Sequence, residues 1–235
     1  MALTTSDQVQ ELYIAYYGRP ADPEGLEYWT NQADSLGGVS AIVNAFGFSP
    51  EATALHEGMS TEQLVESLYE QLFSRTAELE GLQYWSGQIK SGALNLQNLA
   101  WTMINSTSAA DAAVVAEKLK AANAFTAAVD TSEEYIAYGH NGSLPLDTGR
   151  TWLSSVKDAT SEAAAEATID STLSQIVAGS GANVGENFVL TTAIDNVLGT
   201  AKNDTIIGSM DDSGSDSVYT VNPGDTINGN GGNDT

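Results

Sequence analysis

Along the first third of the chain, apolar residues recur with the period of a helix. Val9, Leu12, Tyr13, Tyr16 and Tyr17 fall at i, i+3, i+4, i+7 and i+8, one face of an amphipathic helix. Gly18 ends that helix and Pro20 prevents its continuation. Asp22-Pro23-Glu24 starts a second: an N-cap, a proline at the first helical position, and an acid at the positive end of the dipole. Leu26 and Trp29 face inward on it, and Gly37-Gly38 closes it. A third helix is predicted over about 40–46, and Ser49-Pro50-Glu51 begins a short one. Further helices are predicted over Ala109–Asp130 and Ser132–Tyr138. Leu144-Pro145-Leu146 reads as a break, and Thr148–Val177 as one long helix with an interruption near Ala159 left open. Beyond residue 180 the pattern changes, and Phe188–Ile194 reads as strand.

The helical pattern repeats. Val9, Leu12, Tyr13, Arg19, Ala21, Glu24, Gly25, Leu26, Tyr28 and Trp29 recur at a constant offset as Val65, Leu68, Tyr69, Arg75, Ala77, Glu80, Gly81, Leu82, Tyr84 and Trp85. Gly-Leu-x-Tyr-Trp thus occurs twice. The likeness continues more weakly after a one-residue slip, with Val39, Ile42 and Phe46 answered by Leu96, Leu99 and Met103. The repeat units cover about 7–62 and 63–118.

Charge narrows the function. Eight Lys and Arg against 31 Asp and Glu leave a net charge of −23 over 235 residues. Such a surface lacks the basic stripe of a nucleic-acid binder and is repelled by anionic lipid. Divalent cations are its natural partners, and solubility is the plainer reason for many of the carboxylates. With no cysteine and two histidines, disulfides, thiolate zinc sites and cysteine nucleophiles are excluded. The first residues carry no Sec-type signal, and no run is apolar enough to span a membrane. His56 has no second histidine four residues on, and neither a Gly-x-Ser-x-Gly elbow nor a phosphate-binding glycine loop occurs. Catalysis is not expected.

After residue 180, Gly, Asn, Asp and Thr dominate. Gly229, Gly232 and Asp234 fall on the nonapeptide G-G-x-G-x-D-x-U-x, with Asn230 at its second glycine. An earlier copy keeps Asp204 and Ile206 but has Lys202 at a glycine position. Glycines allow turns whose carbonyls face an ion, and one Asp per turn adds a carboxylate. The candidate calcium ligands are Asn203, Asp204, Asp211, Asp212, Asp216, Gly229, Gly231 and Asp234. Ordinary Gly-Asn-Asp turns, and a solvated loop around Asp211, Asp212 and Asp216, are the plainer reading.

The duplicated aromatic helix, the run from Gly18 to Trp29 and the short helical return resemble the DUF4214 family, a helical module of bacterial surface and secreted proteins. The resemblance covers about residues 7–110. The first copy matches best, and the second carries Ser74-Arg75-Thr76-Ala77-Glu78 in place of Gly-Arg-Pro-Ala-Asp. The glycine-rich end resembles RTX repeats, and a chain ending inside such a unit is expected to be the N-terminal part of a longer one. The whole arrangement resembles the RTX-type S-layer proteins of Alphaproteobacteria. That resemblance implies type I secretion, a calcium-dependent surface lattice, and a helical region that grips the O-polysaccharide of lipopolysaccharide.

The expected fold is therefore mainly α: a helical anchoring domain over 1–178 and the start of a β-rich calcium-binding region over 179–235. The expected function is structural anchoring, with Ca2+ as cofactor and with O-polysaccharide and further copies of the chain as partners. The competing expectation is an accessory protein-interaction region of a secreted RTX enzyme or adhesin; self-assembly through exposed aromatics is a third. Candidate glycan contacts are Tyr16, Tyr17, Arg19, Tyr28, Arg75, Trp101 and Trp152, because aromatic faces and planar polar groups suit sugar rings. The plainer readings are core positions for Trp29 and Trp85, and ion pairs for Arg19 and Arg75 with local acids such as Asp22 or Glu78.

Overall fold

The structure is a computed structural model that describes residues 3–140, 143–180, 184–200, 202–211 and 218–230. It is mainly helical and divides into two compact units, Met1–Gly179 and Ser180–Thr235.

The first unit opens on α1 (Thr5–Tyr17), where Thr4 and Asp7 form a reciprocal capping box. Gly18 ends α1 in the left-handed region at φ 65°, and the chain turns into α2 (Pro23–Leu36). There Asp22 accepts the Gly25 N–H at 2.7 Å. A short 3-10 turn (Val39–Ala41) and α3 (Val43–Gly47) replace the single helix expected over 40–46, and α4 (Pro50–Leu55), capped by Ser49, closes the first repeat. The second repeat retraces this path with α5 (Thr61–Phe73), α6 (Leu79–Lys90) and α7 (Leu96–Ile104). Ser74 takes the left-handed position at φ 52° where the first copy has glycine, and Glu78 precedes α6 without a side-chain cap.

A long α8 (Ala109–Ala128) packs against both α1 and α5 and so joins the repeats. Val9, Leu12, Ile14 and Phe46 from the first repeat, Val65, Leu68 and Leu72 from the second, and Leu119, Ala122 and Phe125 of α8 are all buried. α9 (Ser132–His140) and α10 (Ser143–Ser154) follow. Pro145 does not break the chain as expected. It lies in the first turn of α10, where a missing N–H costs nothing. The helix expected over Thr148–Val177 is three: α10 ends at Ser154, Asp158 caps α11 (Ala159–Glu166) through Ser161, and α12 spans Ile169–Ser180.

Among its described residues the second unit contains three two-stranded pairs. β1 (Val184–Val189) runs parallel to β3 (Asn203–Ile207), and β2 (Asn196–Leu198) runs parallel to β6 (Thr226–Asn228). β4 (Met210–Asp211) and β5 (Val218–Tyr219) are antiparallel. The strand expected over Phe188–Ile194 ends early, because the Asp195 carboxylate captures the Thr191 N–H at 2.7 Å and turns the chain.

Candidate functional site

Each repeat builds the same arginine centre. Arg19, only 5% exposed, donates Nε and Nη2 to the two oxygens of Glu51 at 2.7 and 2.9 Å, and Nη1 to the Pro20 carbonyl at 3.0 Å. Its guanidinium lies over the rings of Tyr13, Tyr17 and Tyr138. Arg75 repeats the scheme on Asp111 at 2.8 and 3.0 Å, with its guanidinium over Tyr69. Asp22, at 3.6 Å from Arg19, and Glu78, at 2.5 Å from Arg75, complete the two centres. The main partner in both cases is an acid in the first turn of the helix that ends the unit. The sequence signal for it is a helix-starting serine, Ser49 or Ser108, followed within three residues by an acid. Hydrogen bonds from Arg75 hold the Asp111 carboxyl below its ordinary range.

The glycine of Gly-Leu-x-Tyr-Trp answers to the same tyrosines. The Tyr13 hydroxyl lies where a Cβ on Gly25 would be, 2.1 Å away, and Tyr69 stands likewise to Gly81 at 2.3 Å. Tyr138 makes a third such contact with Gly149, at 2.7 Å, and donates its hydroxyl to Pro20 O at 2.8 Å.

These contacts correct part of the expected glycan set. Tyr16 is buried and donates its hydroxyl to Gln97 O at 2.6 Å. Tyr17 is buried between Tyr13 and Phe46. Trp152 is buried on Phe125 with Nε1 donating to Ala165 O at 3.1 Å. With Arg19 enclosed as well, none of these four side chains offers a sugar a free face. Arg75 is part-exposed but committed to two carboxylates, and Trp101 is half-buried. Tyr28 alone of the expected set is largely open, at 54%, and its repeat partner Tyr84 is open at 57%. Each stands edge-on to the half-buried tryptophan that follows it, with ring centroids 5.0 Å apart for Tyr28–Trp29 and 4.9 Å for Tyr84–Trp85.

In the second unit, Asp204 is 1% exposed and tied to the backbone. It accepts from Glu186 N at 2.7 Å, Thr200 N at 2.6 Å and Thr200 Oγ1 at 2.9 Å. Burial acts to raise its pKa, but these hydrogen bonds prevail and hold the carboxyl below its usual range. Asp225 does similar work, accepting from Asp195 N and Asn222 N. Gly199 is needed for the close approach at this turn. A Cβ there would stand 2.4 Å from Asp204 Oδ2 and 2.5 Å from Gly229 O, so two of the expected ligand residues meet over its bare Cα. Asn203 and Asp211 lie in β3 and β4, but their side chains, with Asp212, Asp216, Gly231 and Asp234, fall outside the described residues. Among the described residues, no three His, Asp or Glu side chains gather as a metal site.

The part-exposed Arg75 centre lies wholly within one stretch that matches a known family. Residues 43–112 match the DUF4214 family, a domain of unknown function. The DUF4214 segment starts at α3 rather than at α1, so it takes the last helices of the first repeat and most of the second. The Gly18–Trp29 run, although closest to the expected signature, lies before it. No curated protein and no solved structure matches the chain.

Proposed function

We propose that the chain is a non-catalytic anchoring region that holds a secreted surface layer on the outer membrane by binding the O-polysaccharide of lipopolysaccharide. Calcium supports the β unit and lattice assembly in this reading. The observation that supports it is the pair of exposed tyrosines, Tyr28 and Tyr84, each edge-on to its tryptophan at matching places in the two repeats. An exposed aromatic ring offers a face to the C–H surface of a sugar, and its hydroxyl offers a hydrogen bond. Two like platforms on one chain suit a polymer with a repeating unit, because the second contact becomes intramolecular. Among the described residues no helix is long and apolar enough to cross a membrane, which fits attachment from outside.

The test is binding of the chain to lipopolysaccharide with and without O-antigen, in calcium and in EGTA. Binding that needs O-antigen, and that falls at least about tenfold in a Tyr28→Ala, Tyr84→Ala double variant of unchanged helicity, is the expected result. A folded chain that binds neither form overturns it. Capture of a secreted partner protein, or concentration-dependent sedimentation without glycan, would then favour the accessory-region or self-assembly reading.

A further inference from the structure

A cavity of about 170 Å³ opens at the arginine centre of the second repeat, with Phe73, Arg75, Glu78, Trp85, Met103 and Asp111 in its wall. The first repeat shows the same centre closed. There the Phe46 ring packs on Tyr13, Tyr17 and Trp29 with centroids 5.3, 5.3 and 5.1 Å apart. The Tyr17 hydroxyl reaches the Ser49 side chain, and Tyr138 lays a further ring on Arg19. In the second repeat Met103 stands for Phe46 and Phe73 for Tyr17. A ring and a hydroxyl are thus missing at two of the residues that line the cavity. The Arg75 side chain is 39% exposed, against 6% for Arg19.

The open polar atoms define an occupant. Among the described residues, the bonds of Arg75 to Asp111, Thr76 O and Glu78 leave one Nη2 N–H without a partner. Glu78 meets Arg75 through Oε2, and its side chain is exposed, so Oε1 is left to accept. A free donor beside a free acceptor suits hydroxyls, which both accept and donate. Trp85 and Phe73 add ring surface for a C–H face. Two carboxylates around one guanidinium disfavour an anion. The volume lies below the ~300 Å³ at which pockets for drug-sized ligands begin, and it admits about one six-membered ring.

We propose that the Arg75 cavity binds one neutral pyranose ring, its C–H face on Trp85 and its hydroxyls on Arg75 Nη2 and Glu78 Oε1. Neither Tyr28 nor Tyr84 lines the cavity, so a single sugar can fill it whether or not the chain holds a polysaccharide.

The probes are the methyl glycosides of glucose, galactose, mannose, rhamnose and N-acetylglucosamine. The readout is the indole N–H resonances of the whole chain, with the buried Trp152 as internal reference. At least one glycoside is expected to shift Trp85 saturably and leave Trp152 unmoved. Glu78→Gln removes the charged acceptor and should weaken that binding about tenfold. Phe73→Tyr restores the hydroxyl of the first repeat and should fill the space; if it fails to fold, Glu78→Gln decides. Binding should survive Tyr84→Ala, which removes the exposed ring beside Trp85. No saturable shift with any glycoside up to its solubility limit, unchanged affinity in Glu78→Gln, or an equal response to the methyl glycoside of glucuronic acid overturns the proposal.

Discussion

Gln10 and Glu66 occupy the same place in the two repeats, yet only Glu66 has a hydrogen-bond partner. Glu66 accepts the Ala77 N–H at 3.1 Å, while both amide atoms of Gln10 are buried with nothing to bond. The two repeats thus share a fold but differ in this polar contact.

An unmatched buried polar group costs about 1–3 kcal/mol, and an apolar group of similar shape removes that cost. Gln10→Met is therefore expected to stabilise the chain by about 1–2 kcal/mol, read as a higher urea midpoint at an unchanged slope. A lower midpoint would mean that Gln10 bonds to groups it does not touch here.

Gly25 should resist a substitution that helices normally welcome. Alanine for glycine in a helix ordinarily gains about 0.5–1 kcal/mol, but here its methyl meets the Tyr13 hydroxyl. Gly25→Ala is expected to destabilise by about 1–3 kcal/mol, as over-packing does, with part of the loss recovered in a Tyr13→Phe background. Equal effects of Gly25→Ala in the two backgrounds would show that the hydroxyl is not the obstacle.

The two arginine centres should differ in strength. Glu51 serves both Arg19 and Arg150, the latter at 2.5 Å, and Arg19 is buried. Glu51→Ala strands a buried charge and is expected to cost about 3 kcal/mol or more. Asp111→Ala should cost about 1 kcal/mol, because the Arg75 side chain is 39% exposed and keeps Glu78. Chemical denaturation of both variants checks the order, and a larger loss at Asp111 would reverse it.

Stability should fall as pH rises through neutrality on account of Glu11, which burial, aided by Asp7, pushes up to about 7. An unfolded glutamate titrates near ~4.3, so between these values the folded chain holds a proton that the unfolded chain has lost. The protonated form is accommodated below that window, and the charged form is penalised above it. Glu11→Gln is expected to gain up to about 3 kcal/mol at pH 8 and almost nothing at pH 4. The same gain at both pH values would rule out Glu11 as the source.

Much of the helical unit was legible from local features. Asp22 and Ser49 start helices where a side-chain oxygen can take a free N–H, and Gly18 and Gly37 end them with positive φ. Pro145 misled because a proline that breaks a helix interior is harmless in a first turn. The run after Thr148 looked continuous because Ala, Ser and Glu all tolerate a helix, while the Asp158–Ser161 cap that starts a new one leaves only a faint trace. At the candidate sites the residue types were readable but not their surroundings. Tyr16, Tyr17 and Tyr28 share one composition, and only packing separates two core rings from an open one.

The sequence by itself determined the duplication, the main helix starts and stops of the first repeat, the acidity and the change of character near residue 180, since these depend on neighbours a few positions apart. The tertiary structure decided that Arg19 meets Glu51 before Asp22, that the Gly25 and Gly81 positions exist to admit a tyrosine hydroxyl, and that Asp204 ties down backbone amides from two segments. Those outcomes turn on hydrogen-bond and van der Waals distances between residues far apart along the chain, and such distances arise only once the helices and turns have packed.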